Sequence, residues 1–280
     1  MIDLGPTSGL PLTLDEGDAG LPLRLRGDLQ PGRLITRSLG ELQPALADPH
    51  AEGPDPAYWM YNGVAHFAAC DGRGAYQWRY DLTVLPPGRL GAECLRTMGH
   101  YHPLIPGADL AWPEVYEVLH GSALFVLQRA DDHRAAPAEV RIDDLIVVRA
   151  EAGEQAMLPP NYGHWTVNAT DGPLVIANWI AAGFESDYEP AQAARGPCCR
   201  VLAGEDGPRF SANPRYAHPP AALRHGRPVD VPELGLVAGR PIFGALLREP
   251  DVWRYVCDPR TAPVDLQSAI RVTQTDPFPP

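Results

Sequence analysis

Between residues 78 and 180 the chain is a series of short apolar, β-branched and aromatic runs, each closed by a turn signal. This punctuation limits the fold more than any other feature. Trp78 to Leu85 (WRYDLTVL) stops at Pro86-Pro87-Gly88. Further strands are expected at Glu114 to Leu119, Ser122 to Gln128, Glu139 to Val148, Gln155 to Leu158, His164 to Asn168 and Leu174 to Ile180. The breaks between them carry Gly121, Asp131-Asp132, Gly153, Pro159-Pro160 and Asp171-Gly172-Pro173. Strands this short, spaced this regularly, predict an all-β fold, an antiparallel sandwich or barrel. The 32 prolines and 27 glycines among 280 residues point the same way, since both interrupt long helices.

The flanks read differently. Residues 1 to about 50 are rich in Leu, Gly and Pro, with two short β patterns, and ADPHAEGPDP (Ala47 to Pro56) is a loop. His218 to Pro232 has the proline content of a connector, and Ile242 to Tyr255 is expected to form one or two short helical turns broken at Pro250.

Charge removes several functions. All 23 basic residues are arginine, set against 35 acidic ones, for a net charge of −12. Without a lysine there is no Schiff-base chemistry, no pyridoxal-phosphate anchor and no GK[ST] phosphate loop. The acidic balance predicts no nucleic-acid partner and no anionic-membrane partner. No run of 18 apolar residues occurs, and the first 20 residues carry acids where a signal peptide needs a basic, then apolar, stretch, so the expected location is cytoplasmic. The five cysteines form no CxxC pair and are read as reduced thiols, with Cys198 and Cys199 as apolar strand residues.

The chemistry concentrates at Thr97-Met98-Gly99-His100-Tyr101-His102. On a strand, side chains two apart share a face, so His100 and His102 would aim two imidazoles at one point. Glu114 opens the next strand, and His164 lies about 60 residues on. Three neutral imidazoles and one carboxylate, with no thiolate, make a nitrogen and oxygen site suited to catalytic iron, manganese, cobalt, nickel or zinc. An isolated His-x-His also arises from incidental histidines on an exposed strand.

Two longer patterns weigh against coincidence. Glu114 is followed by six residues and Gly121, and Gly153 by five residues, then Pro159-Pro160-Asn161, two residues, His164, three residues and Asn168. These resemble the two cupin-superfamily motifs, HxH…E(x)6G and G(x)5PxG(x)2H(x)3N. Asn161 replaces a glycine in the second, a mild change because Asn tolerates a left-handed backbone. The gap from His102 to Glu114 exceeds the usual cupin spacing and implies an inserted loop, PLIPGADLAWP, at the barrel mouth. Within the cupins, Thr97-x-Gly99-His100-x-His102, Glu114-Val115-Tyr116, Gly121, Gln128, Pro159-Pro160, His164-x-Thr166-Val167-Asn168 and Asn213-Pro214-Arg215 are similar to the cupin-type glucose-6-phosphate isomerases, over roughly residues 55 to 216.

That resemblance implies a cupin barrel, a double-stranded β-helix or jelly roll, at residues 55–216, with an N-terminal extension of short strands at 1–54 and a Pro-rich C-terminal extension at 217–280. It implies one divalent metal ion on His100, His102, Glu114 and His164, Fe2+ first, with Mn2+, Zn2+, Ni2+ or Co2+ as alternatives. Thr83, Thr97 and Gly99 would lie near a phosphate, Tyr116 and Tyr188 would face the sugar, and Tyr58 corresponds to a further active-site tyrosine. The implied activity interconverts glucose 6-phosphate and fructose 6-phosphate through an enediolate, with Glu114 and Tyr116 catalytic and the chain a homodimer. The alternatives are an Fe(II) dioxygenase on the same ligands or a sugar-binding cupin without turnover. Four departures bear on the substrate: the family's lysine before Gly-His is Met98, its aromatic after the two prolines is Asn161, its basic residue after the last histidine ligand is Trp165, and its histidine before the later tyrosine is Ser186.

Overall fold

The computed structural model describes residues 1–17, 20–71 and 74–280. Two sheets dominate it. The smaller contains β1 (Arg33–Arg37), β2 (Tyr58–Asp71), β3 (Gly74–Leu85), β5 (Glu114–His120), β8 (Gln155–Leu158) and β10 (Leu174–Ala181), in the order β8-β5-β10-β3-β2-β1. The larger contains β4 (Glu93–Arg96), β6 (Ser122–Ala130), β7 (Ile142–Glu151), β9 (Tyr162–Asn168), β11 (Cys199–Leu202), β12 (Arg209–Ala212), β13 (Ala222–Pro228) and β14 (Ile270–Pro277), in the order β12-β11-β4-β9-β6-β7-β13-β14. Pairing is antiparallel except between β7 and β13. The sheets share a core as the two walls of a barrel, which bears out the all-β expectation.

Strand period 2 explains why these strands are apolar throughout rather than alternating. Along β5, Tyr116 and Val118 point inward and join Phe125, Leu127, Ile146 and Val148 of the larger sheet in the barrel core. Val115 and Leu119 point outward into a second core, beside Trp78, Tyr80 and Trp179. That outer core is closed by the C-terminal segment through Ile242, Leu246, Trp253 and Tyr255. A third core covers the outer face of the larger sheet with Trp165, Val167, Cys198 and Cys199.

Several local expectations shift. The strand expected at Glu139 to Val148 begins at Ile142, because Glu139 and Val140 donate their N–H groups back to Ala136 in a turn. The expected connector His218 to Pro232 contains β13, a strand hidden by its polar sequence ALRHGRP and held between β7 and β14. Ile242 to Tyr255 does form a short helix, Ile242–Arg248, and a 3-10 turn, Pro250–Val256, separated at Pro250. Among the described residues no helix is long and apolar enough to cross a membrane.

Candidate metal centre

The chain leaves β4 at Arg96 and runs through Thr97, Met98 and Gly99 before reaching the histidine pair. Gly99 has φ +79°, and a Cβ there would fall 1.9 Å from Trp165 Nε1. Glycine alone lets the backbone pass over this indole. Thr97 fastens the segment to β9: its N–H donates to the Thr166 carbonyl (2.9 Å) and its Oγ1 accepts from the Thr166 N–H (3.1 Å). His100 then pairs with His164 in both directions, N–H to carbonyl, at 3.2 and 3.0 Å. His100 therefore meets β9 through a single bridge pair rather than a continuous strand, Tyr101 bridges Asp187, and the rings of His100 and His102 meet with their Nε2 atoms close together.

His100, His102, Glu114 and His164 converge, each offering one ligand atom, with all four atoms within 4.8 Å of one another. The Nε2 atoms of His100 and His102 are 3.2 Å apart, and Glu114 Oε2 lies 3.5 Å from His102 Nε2 and 3.4 Å from His164 Nε2. His164 comes from the larger sheet, His100 and His102 from the segment bridged to it, and the carboxylate from the smaller sheet, so barrel closure assembles the cluster. The Trp112 carbonyl accepts from His102 Nδ1–H at 2.8 Å. That bond leaves the Nε2 lone pair facing the cluster.

The electrostatics suit a cation. Burial holds all three histidines well below the usual imidazole range, His102 at about 4, so the rings are neutral. Burial, reinforced by the charge of Asp81, pushes Glu114 up to about 8, while the Tyr116 hydroxyl hydrogen-bonds its carboxyl and Arg79 opposes the rise. Glu114 Oε2 and His164 Nε2 are buried with no hydrogen-bond partner. Orphaned buried acceptors are costly, and a divalent cation between them would satisfy both, so the donor set fits a metal.

The tyrosines collect around this cluster. Tyr116, on β5, faces the cluster two residues beyond Glu114, and the Tyr188 ring lies 5.1 Å from that of His100. The Tyr58 hydroxyl accepts from the Met98 N–H at 3.3 Å. Thr83 lies in the same inward row of β3 as Arg79 and Asp81. The inserted loop folds into a small hairpin, with Leu104 bridging Ala111. Asn161, left-handed at φ +67°, pins that hairpin: its Oδ1 accepts from the Ala111 N–H (2.7 Å) and its Nδ2 donates to the Asp109 carbonyl (3.1 Å). Trp112 stacks on Phe184 at 4.7 Å, and Phe184 packs edge-on against His102.

Sequence reasoning passed over Arg79, Asp81, Arg37 and Phe184. Arg79 and Asp81 had a signal, since alternation in WRYDLTVL puts both on the face of Thr83. Arg37 and Phe184 had none: Arg37 ends the edge strand β1 and Phe184 follows β10 in an irregular segment, both far in sequence from the histidines.

The sequence model of the glucose-6-phosphate isomerase (GPI) family matches residues 37–216, more than half of the chain. The chain belongs to the glucose-6-phosphate isomerase family. Among curated relatives, the glucose-6-phosphate isomerase of Thermococcus litoralis is 33% identical over 109 residues, 39% of this chain and 49% of that protein. That of Pyrococcus furiosus is 30% identical over 138 residues, 49% of this chain and 64% of that protein. A putative glucose-6-phosphate isomerase of Rhizobium meliloti is 28% identical over 138 residues, 49% of this chain and 57% of that protein. The chain thus spans about half to two thirds of the length of the relatives it matches. Part of the barrel is also similar to a solved structure of oxalate oxidase with glycolate, at a TM-score of 0.27 and 16% identity over 36% of this chain and 40% of that one, a likeness too slight to bear on chemistry.

Within the glucose-6-phosphate isomerase family the four departures take distinct places. Met98 is buried in the barrel core, and its sulfur accepts from Gln192 Nε2 at 3.4 Å. Trp165 points out of the barrel into the core behind the larger sheet. Asn161 braces the inserted hairpin, and Ser186 hydrogen-bonds the Tyr188 hydroxyl.

Proposed function

We propose that this chain is a metal-dependent aldose–ketose isomerase that interconverts glucose 6-phosphate and fructose 6-phosphate. The observation that carries the reading is the convergence of His100, His102, Glu114 and His164, with Glu114 Oε2 and His164 Nε2 orphaned at its centre. A divalent cation held there, Fe2+ first among those suited to such donors, supplies Lewis-acid stabilisation of the negative charge that develops on the substrate oxygens. Glu114 moves the carbon-bound proton: its carboxylate takes a proton from C2 of the aldose, leaving an enediolate, and returns it to C1, while the hydroxyl proton passes from O2 to O1 so that C2 becomes the carbonyl. Tyr116, hydrogen-bonded to Glu114, orients the carboxylate and faces the sugar. Tyr188, Thr83, Thr97 and Gly99 line the approach, and Phe184 with Trp112 walls off water beside His102. The chain works as a homodimer in this proposal, with the edge strand β1, where Leu34 is 42% exposed, open for a second copy.

The test incubates metal-loaded protein with phosphorylated and free aldoses and ketoses, in an oxygen electrode. Interconversion of glucose 6-phosphate and fructose 6-phosphate with no oxygen uptake is expected. Oxygen consumption without interconversion would instead support a dioxygenase, and binding without turnover a sugar receptor; either overturns the proposal.

A further inference from the structure

Arg79 lies on the inward face of β3 and takes no part in the proton transfer assigned to Glu114. In the six-stranded sheet it stands opposite Ile180, which stands opposite Glu114, so arginine and carboxylate occupy one cross-strand row, about 10 Å apart at the backbone. An extended arginine spans that distance. Its charge acts on His100, His102 and Glu114, and Tyr188 acts on it in turn. Of the four residues in the cluster, His100 alone is part-exposed, and Arg79, Thr97 and Tyr188 are part-exposed with it. The cluster therefore opens on the side that Arg79 reaches. Arg37, the other arginine near these tyrosines, is occupied by Glu41 at 3.4 Å and by the Tyr58 hydroxyl.

The Arg79 guanidinium is held from one edge. Its Nε donates to both oxygens of Asp81 at 2.9 Å and Nη2 lies 2.8 Å from Oδ2, whereas Nη1 has no partner among the described residues. The Arg79 side chain is 29% exposed against 7% for Asp81, so the unbonded edge faces open space. Asp81 is itself fixed. β2 bulges opposite it: Tyr61 pairs with Leu82 and Ala65 with Tyr80, leaving Asn62, Gly63 and Val64 against this one residue. Gly63, left-handed at φ +66°, donates its N–H to Asp81 Oδ1 at 2.7 Å. A bulge, a glycine and a buried carboxylate thus hold one arginine in one orientation beside the histidines.

We infer that Arg79 is a further catalytic residue: its Nη1 donates a hydrogen bond to the substrate's carbonyl oxygen, on which negative charge develops as the enediolate forms, and Asp81 is the residue that positions it. This rests on the isomerase reading. That oxygen is neutral in the sugar and anionic once Glu114 has taken the proton, so a donor fixed in advance strengthens its bond at that moment and needs no rearrangement. A permanently charged group is a poorer match. Arg79 brings the Asp81 carboxylate with it, and the pair together has no net charge to attract an anion.

Two variants test it. Arg79→Lys can still pair with Asp81 but has no second nitrogen to spare; Arg79→Met combined with Asp81→Asn removes both charges and leaves no unpaired carboxylate. With glucose 6-phosphate, kcat should fall roughly 100-fold in the double variant and roughly 10-fold or more in the lysine one, with KM near that of the wild type. Calorimetric binding, which needs no turnover, should show the same selectivity. The ligand 6-phosphogluconate, charged where the enediolate is, should bind both variants roughly 10-fold or more weakly, while glucitol 6-phosphate, neutral there, should bind them as it does the wild type. Wild-type kcat in either variant, or equal weakening of both ligands, overturns the inference. If the double variant does not fold, the lysine variant decides alone. Wild-type protein that interconverts no sugar phosphate overturns the isomerase reading and this inference with it; active wild type with unaffected variants overturns this inference alone.

Discussion

Glu114 sits where three requirements meet: it faces two imidazoles at 3.4 to 3.5 Å, it takes the Tyr116 hydrogen bond, and burial pushes its carboxyl up to about 8. If it moves the substrate proton, Glu114→Gln should hold metal more weakly and lose roughly 100-fold or more in kcat, the usual scale for a general base. Metal content and single-substrate kinetics check this, and a metal-loaded Gln protein with full kcat contradicts it. Gly99 is constrained by sterics instead. Its φ of +79° and the 1.9 Å approach of a Cβ to Trp165 Nε1 mean that Gly99→Ala must shift the histidine-bearing segment. We expect a loss of about 2–4 kcal/mol in urea unfolding, from backbone strain plus overpacking, and a drop in bound metal. An alanine variant as stable and as well loaded as the wild type would show that the segment is not held as described.

Elements carry the next level. The inserted hairpin after His102 supplies the Trp112 carbonyl that orients His102, and Asn161 ties that hairpin to the turn before His164. Asn161→Gly keeps the left-handed backbone and removes both ties, so metal affinity should fall roughly 10- to 100-fold by chelator competition, with unchanged affinity as the contrary result. The spacing from His102 to Glu114 made this insertion legible in the sequence, but not its bond to His102, because hydrogen bonding to a carbonyl leaves no mark on residue type. The strands from Gln155 to Leu158 and from Leu174 onward were legible because both faces are buried and Pro or Gly marks their ends. β13 and β14 were not, since Arg224, His225, Thr273 and Gln274 lack apolar periodicity and the pairing joins residues about 50 apart. Glu117 belongs to this scale too. It lies under the C-terminal helix Ile242–Arg248, accepts the Ile242 N–H at 3.2 Å, and is pushed by burial up to about 8. Unfolded, the carboxyl ionises near its ordinary 4.5, so stability present at low pH is lost as pH rises from about 5 to 8. Glu117→Gln should therefore raise the thermal midpoint at pH 9 relative to wild type and lose that advantage near pH 5; equal midpoints at both pH values would contradict it.

Across the whole molecule, the barrel is covered on both outer faces. Trp78 donates its indole N–H to the Trp253 carbonyl, and Trp179 to the Ile242 carbonyl, so the six-stranded sheet is sealed by residues beyond the family match. Removing residues 217–280 would bare Trp78, Tyr80 and Trp179, and the shortened chain should be insoluble; a soluble, cooperatively unfolding 1–216 chain would contradict this. The same closure brings His164, with the segment paired to it, to the carboxylate of the other sheet, while Arg37 and Phe184 emerge only from packing. Stoichiometric reconstitution tests the central claim most directly. Protein stripped by a chelator should not interconvert glucose 6-phosphate and fructose 6-phosphate, and returning a divalent cation should restore the rate linearly up to one equivalent per chain. Stripped protein that keeps its full rate, or fully loaded protein with none, would contradict it.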